Sequence, residues 1–203
     1  LKLGSGLVAL AGGNLILTLI FTMITSLILG MGAPTTANYI ITSTIAAPAI
    51  MKLGVPALAA HMFTFYFGIV ADITPPVALA AFAGSAIAGS DPLKTGINAS
   101  KIAIAAFIIP YMFVLNPALL MINTTPLILI QIIITSIIGM FGIGVAMEGY
   151  FIANVNILFR LILFVSGLLC IYPGVYTDII GISIIGVVLM IQRIKAKKQS
   201  VSA

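Results

Sequence analysis

The chain has 203 residues, of which 62% are hydrophobic and only 6% charged, with nineteen Gly, ten Pro and no Trp. A soluble domain carries about 25% charged residues, so this composition excludes an ordinary soluble enzyme and implies an all-α integral membrane protein. The net charge of +5 is no sign of nucleic-acid binding, because Arg193, Lys195, Lys197 and Lys198 crowd the C-terminal tail behind an apolar stretch, the pattern of a cytoplasmic anchor.

Helices are expected at about residues 8–29, 36–51, 57–71, 76–89, 100–121, 127–146, 155–172 and 178–194. The chain starts at Leu1, with neither an initiator Met nor a signal-peptide pattern, and reads as a fragment of a longer one. The second, third and fourth helices are short for a membrane crossing of about 30 Å. They flank two polar breaks, "GMGAPTT" at residues 30–36 and "ADITPPVALAAF" at residues 71–82.

Counting Lys and Arg tests the orientation. With the tail inside and each long helix crossing once, Arg160 and the "SDPLKTGINASK" stretch, residues 90–101 and read as a loop, also fall inside. Residues 57–89 are read as one crossing helix interrupted at Asp72 to Pro75, because two legs of about 14 residues span poorly. Residues 8–51 then enter and leave on one side as a re-entrant hairpin turning at the first break. Bare backbone at membrane depth is tolerated only against protein or a watery cavity, so both breaks should face something polar.

In the first break Pro34 removes an N–H, and Gly30 and Gly32 open backbone conformations closed to other residues. Thr35 and Thr36 add hydroxyls at the next helix start, as caps or ligands. In the second, Thr74 precedes Pro75 and Pro76, and Asp72 is the one carboxylate well inside an apolar segment. Half-helix N-termini suit an anionic group and unwound carbonyls suit a small hard cation such as Na+. A lone break of this kind is more often a kink than a ligand set, and Asp72 could cap a helix or pair with a lysine. Two such breaks between undersized helices favour a binding site.

The pair "GMGAPTTANYI" and, about forty residues later, "ITPPVALAAFAGSAIAG" resembles the C-terminal half of the large membrane subunit of tripartite ATP-independent periplasmic (TRAP) transporters over roughly residues 8–121. The resemblance implies a sodium-driven importer of small organic acids in a bacterial or archaeal cytoplasmic membrane. It would work by an elevator movement, with a periplasmic substrate-binding protein and a small membrane subunit as partners and no cofactor beyond Na+ as coupling ion. By position, Gly30, Gly32, Pro34, Thr35 and Thr36 would form the hairpin tip, and Asp72, Thr74, Pro75 and Pro76 the broken-helix turn. Together these would hold a Na+ and one side of the substrate.

On this reading residues 1–123 are the C-terminal repeat of the transport domain, with hairpin 8–51, broken helix 57–89 and helix 100–121. Residues 124–203 add further transmembrane helices and the basic tail, about four spans following the broken helix in all. The extension is similar to the fused permease type, in which small and large subunits share one chain and TAXI-class binding proteins deliver substrate. Thr18, Thr22 and Thr25 share a helical face, expected to serve helix–helix hydrogen bonding first and the substrate path second. His61 reads as interfacial or packed, Cys170 as a small core residue, and Gly139, Gly142 and Gly144 as close-packing positions; Glu148 and Asp178 fall in expected loops. No nucleophile–base pair, catalytic metal spacing or phosphate-binding loop is present, so the chain is read as no enzyme. A structural or channel-like subunit is the alternative.

Overall fold

The computed structural model describes residues 2–172 and 174–201; the side chains of Lys2, Leu3 and residues 195–201, including the tail lysines Lys195, Lys197 and Lys198, lie outside the description. The described residues are helical, with a lone bridge between Tyr150 and Asn154. They form two compact units, one up to Leu120 and one from Met121.

The first unit begins with α1 (Lys2–Leu10) and α2 (Leu15–Gly30). The expected single helix over 8–29 is therefore two. Gly12 and Gly13 take positive φ of 57° and 75°, and the Asn14 side chain then caps α2 by accepting from the Leu17 N–H at 3.1 Å. After the tip come α3 (Thr35–Ile45) and α4 (Ala47–Met51), joined through Ala46, whose N–H still bonds Thr42. Next is α5 (Ala57–Val70), with one 3-10 turn at Ala71–Ile73, a cis Pro75–Pro76 bond, and α6 (Leu79–Ala88) behind a left-handed Ala78.

Residues 90–101, read as a loop, are helical instead. Asp91 accepts from the Lys94 N–H at 2.8 Å and Pro92 takes the first position, so α7 (Pro92–Ile102) starts on a strong N-terminal signal. It leads into α8 (Ile104–Leu115) with a 42° bend. A 3-10 turn, Pro117–Leu120, closes the unit.

Helix α5 runs through its centre. Phe63 and Phe67 are fully buried and pack edge-on, at 4.9 Å from each other and 5.1 and 5.8 Å from Tyr111 of α8. Leu19, Ile50, Ala59, Ala60 and Val114 fill in around them.

The second unit is built of α9 (Pro126–Glu148), α10 (Ile157–Ile171) and α11 (Val175–Val201). Glycine sets its spacing. A Cβ at Gly139 would lie 2.7 Å from the Gly167 carbonyl, one at Gly167 2.6 Å from the Gly139 carbonyl, and one at Gly181 2.5 Å from Cys170 Sγ. Gly142 meets Ile185, whereas Gly144, expected at a close approach, faces open space. Arg160 donates to the terminal carbonyls of α9, Ala146 at 2.7 Å and Met147 at 2.9 Å, placing its charge at the negative end of that helix.

Neither acidic residue expected in a loop is in one. Glu148 ends α9, and Asp178 lies buried in the first turn of α11, accepting from Gln131 Nε2 at 3.3 Å. Among the described residues two helices, α9 and Val175–Ile194 of α11, are long and apolar enough to cross a membrane, and the bent α7–α8 pair makes a third if it is one span. Helix α10 is apolar but only 15 residues, about 22 Å.

Because Gly167 and Gly139 leave no room for a methyl, Gly167→Ala is expected to destabilise by about 1–3 kcal/mol, the cost of overpacking, whereas Gly144→Ala is neutral. Thermal unfolding of the two variants in detergent checks the contrast.

Candidate functional site

The two breaks meet. Gly32, Ala33 and Pro34 of the hairpin tip and Asp72, Leu79 and Ala80 of the broken helix line one open cavity of about 460 Å³. Of the residues singled out in the sequence, Gly32, Pro34 and Asp72 are thus in its wall. Gly30 lies behind the tip as the last, fully packed residue of α2. Thr74, Pro75 and Pro76 form the turn that carries the chain from α5 to α6, outside the lining. Thr35 and Thr36 are exposed in the first turn of α3, and neither lines the cavity.

The local backbone explains how a mostly apolar cavity acquires polar groups. The tip is held by weak turn bonds, Met31 N–H to Ile28 O at 3.4 Å and Ala33 N–H to Gly30 O at 3.5 Å, and Gly32 takes a φ of 75° that favours glycine. Two helices start at the cavity. Helix α3 begins behind Pro34 and α6 behind Ala78, and neither residue makes a side-chain cap to the first-turn N–H groups. Those N–H groups carry partial positive charge that suits an anion.

Asp72 supplies the opposite sign. It sits half-buried in the 3-10 turn, it caps no helix, and it forms no ion pair with a described lysine. Among the described residues, then, Asp72 adopts neither of the two roles allowed by sequence, N-cap or lysine partner.

The second break is braced from within by Thr74 and from outside by residues of α7 that the sequence did not single out. Thr74 Oγ1 donates back to Val70 O at 2.6 Å, satisfying a terminal carbonyl of α5, so its hydroxyl hydrogen is committed to the turn. The Ser100 hydroxyl of α7 is shared between Ile73 O at 3.1 Å and Gly96 O of its own helix at 3.0 Å. A Cβ at Gly96 would sit 3.0 Å from Pro75 and 3.4 Å from the Ala78 methyl, so α7 lies close along the turn. The available signal was the Asp91–Pro92 helix start; nothing in the sequence alone pointed α7 at Pro75.

The threonine face on α2 is also drawn differently. Thr18, Thr22, Ser26 and Gly30 recur every fourth residue and are buried, while Thr25 is only half-buried. Thr18 and Thr25 hydroxyls bond within their own helix, to Asn14 O and Phe21 O at 2.8 Å each, rather than across helices. His61 is neither isolated nor in the cavity: its Nδ1 lies 3.1 Å from the Tyr39 hydroxyl, beside a smaller cleft of about 210 Å³ shared with Leu58, Met62 and Phe65.

The family model described as tripartite ATP-independent periplasmic transporter, DctM component, matches residues 1–128, which include the hairpin, the broken helix and both breaks. The chain belongs to this family. It is therefore part of a TRAP transporter, a multi-pass membrane protein of a transporter family rather than an enzyme family. No curated protein and no solved structure matches it.

Ser100→Ala removes the α7 support from the Ile73 carbonyl of this TRAP component and is expected to lower its stability by about 1 kcal/mol. Gly96→Val, which forces a branched side chain against Pro75, costs more. Melting temperatures of the two variants in detergent give the order.

Proposed function

We propose that this chain supplies one repeat of a sodium-coupled importer of small organic acids, with residues 1–123 as the C-terminal repeat of the transport domain and residues 124–203 as additional membrane helices. The transporter lies in a bacterial or archaeal cytoplasmic membrane, takes its substrate from a periplasmic binding protein, and works with a small membrane subunit or a fused equivalent. An elevator movement carries the site across.

One observation carries the reading: a single cavity is lined by Leu79 and Ala80 in the uncapped first turn of α6, by the tip up to Pro34 at the head of α3, and by one carboxylate. A carboxylate substrate gains from the first-turn N–H groups of α6, which carry partial positive charge without a basic side chain. A Na+ gains from Asp72 and the carbonyl oxygens of the unwound tip. Each ion lowers the cost of holding the other, which gives coupling a physical basis. Family membership supports transport, and the mixed polarity of the cavity supports an anion and a cation bound together. Inverted-repeat transporters build such a site between two halves, so this chain holds one side of it.

The test is uptake of a panel of labelled organic acids by the complete permease in proteoliposomes, with its binding protein, with and without an inward sodium gradient. Uptake is expected to need sodium. Asp72→Asn removes a charged ligand worth about 1.5–3 kcal/mol, which raises the half-saturating sodium concentration roughly ten- to a hundred-fold. The Thr35→Ala, Thr36→Ala double variant reads whether the two exposed hydroxyls join the site: a shifted sodium dependence places them in it, and an unchanged one leaves the cation to Asp72 and the carbonyls. Uptake indifferent to sodium turns the reading toward a channel-like subunit. Residues 1–203 alone, in sealed vesicles, are expected to accumulate nothing.

A further inference from the structure

Asn38, in the first turn of α3, has no part in the cavity lining, yet it is 1% exposed and lies where both breaks begin. Its Nδ2 donates to Gly68 O at 2.6 Å and to Gly30 O at 3.1 Å. Two carbonyls can be served only by the amide NH2, so these contacts fix which way the side chain points. The Oδ1 oxygen has no hydrogen-bond partner and is pressed on Gly68.

The two acceptors have something in common. Gly30 is the last residue of α2, and Gly68 lies in the last turn of α5. Both carbonyls are among the terminal groups that a helix cannot satisfy from its own backbone. One side chain on α3 thus caps the C-terminal ends of the two helices that stop at the breaks. Glycine at both sites is what admits it. A Cβ at Gly30 would lie 2.5 Å from Gly68 O and 2.8 Å from Asn38 Nδ2, and a Cβ at Gly68 would fall on Asn38 Oδ1.

We propose that Asn38 is a positioning residue: a shared C-cap that locks the hairpin tip to the broken helix, so that the two walls of the cavity move as one. This role rests on reading the cavity as the binding site. An apolar residue of similar size would fill the space but strip the Gly68 carbonyl of its donor and leave the Gly30 carbonyl only the weak Ala33 N–H bond at 3.5 Å, and each helix end would then be free to shift independently of the other.

The complete permease, freed of other reactive cysteines, carries Ala33→Cys as a reporter at the tip or Thr125→Cys as a control in the loop before α9. Labelling by a water-soluble maleimide is timed in choline chloride and across a sodium chloride titration. In the sodium-free arm, Asn38→Ala and Gly68→Ala are each expected to speed labelling at the tip at least fivefold and to leave the control rate unchanged. The Asn38→Ala, Gly68→Ala pair is expected to match Asn38→Ala alone, because the new methyl occupies the room the amide vacates. If Asn38→Ala does not fold, Gly68→Ala, which keeps the asparagine, reads the same displacement.

In the titration, sodium is expected to slow labelling in the parent, and Asn38→Ala to raise the midpoint about tenfold without changing the plateau. A tip rate within twofold of the parent in both variants overturns the proposal, as does an equal rise at the control. A parent that ignores sodium overturns the sodium reading of the cavity instead, while the sodium-free arm still decides Asn38.

Discussion

A helix that stops within an apolar environment leaves carbonyls that no water can reach, and the first unit of this protein is organised around finding donors for them. Asn38 serves the ends of α2 and α5, Thr74 serves Val70, and Ser100 serves Ile73. Each donor comes from a different place in the chain. The breaks are consequently tied to neighbouring elements where they are capped and open where they are not, and uncapped residues of the tip and of α6 line the cavity.

The second constraint is close approach. Lipid tails are as apolar as leucine, so helices in a membrane gain little from hiding apolar surface from one another and depend instead on fit and on hydrogen bonds. In the first unit the fit is aromatic, around Phe63, Phe67 and Tyr111, with a small-residue face on α2 ending at Gly30. In the second it comes from glycine against carbonyl, at Gly139 and Gly167, with Arg160 neutralising the end of α9. Two solutions to one packing problem thus stand side by side in a single chain.

The chemistry of the cavity follows from both constraints. Pro34 and Ala78 cannot cap helices with their side chains, and the uncapped first-turn residues Leu79 and Ala80 of α6 line the opening, whereas Thr35 and Thr36 of α3 lie outside it. Asp72, in a turn of Thr74 and two prolines, brings a negative charge to the same space. A site with partial positive charge from backbone and full negative charge from one carboxylate is suited to an anion and a cation held together. That balance needs no arginine or lysine in the wall.

Composition and apolar run lengths by themselves determined the membrane class, the helical architecture and the position of both breaks, because hydropathy and the backbone limits of Gly and Pro act locally. The motif pair around Gly30 to Thr36 and Asp72 to Pro76 also carried the family resemblance, which the match over residues 1–128 bears out. Local signals at Gly12–Gly13–Asn14 and Asp91–Pro92 stood in the sequence too, but were outweighed there by the length of the apolar runs and the polarity of residues 90–101. Tertiary structure alone decided the rest. It brought Gly32 and Pro34 to Asp72, left Thr35 and Thr36 outside, turned Ser100 toward Ile73, and buried Asn38 between two glycines thirty-eight residues apart in the chain. Those outcomes depend on which helix face meets which. An asparagine four residues past a proline reads the same in sequence whether it faces lipid, water or the carbonyl ends of two other helices.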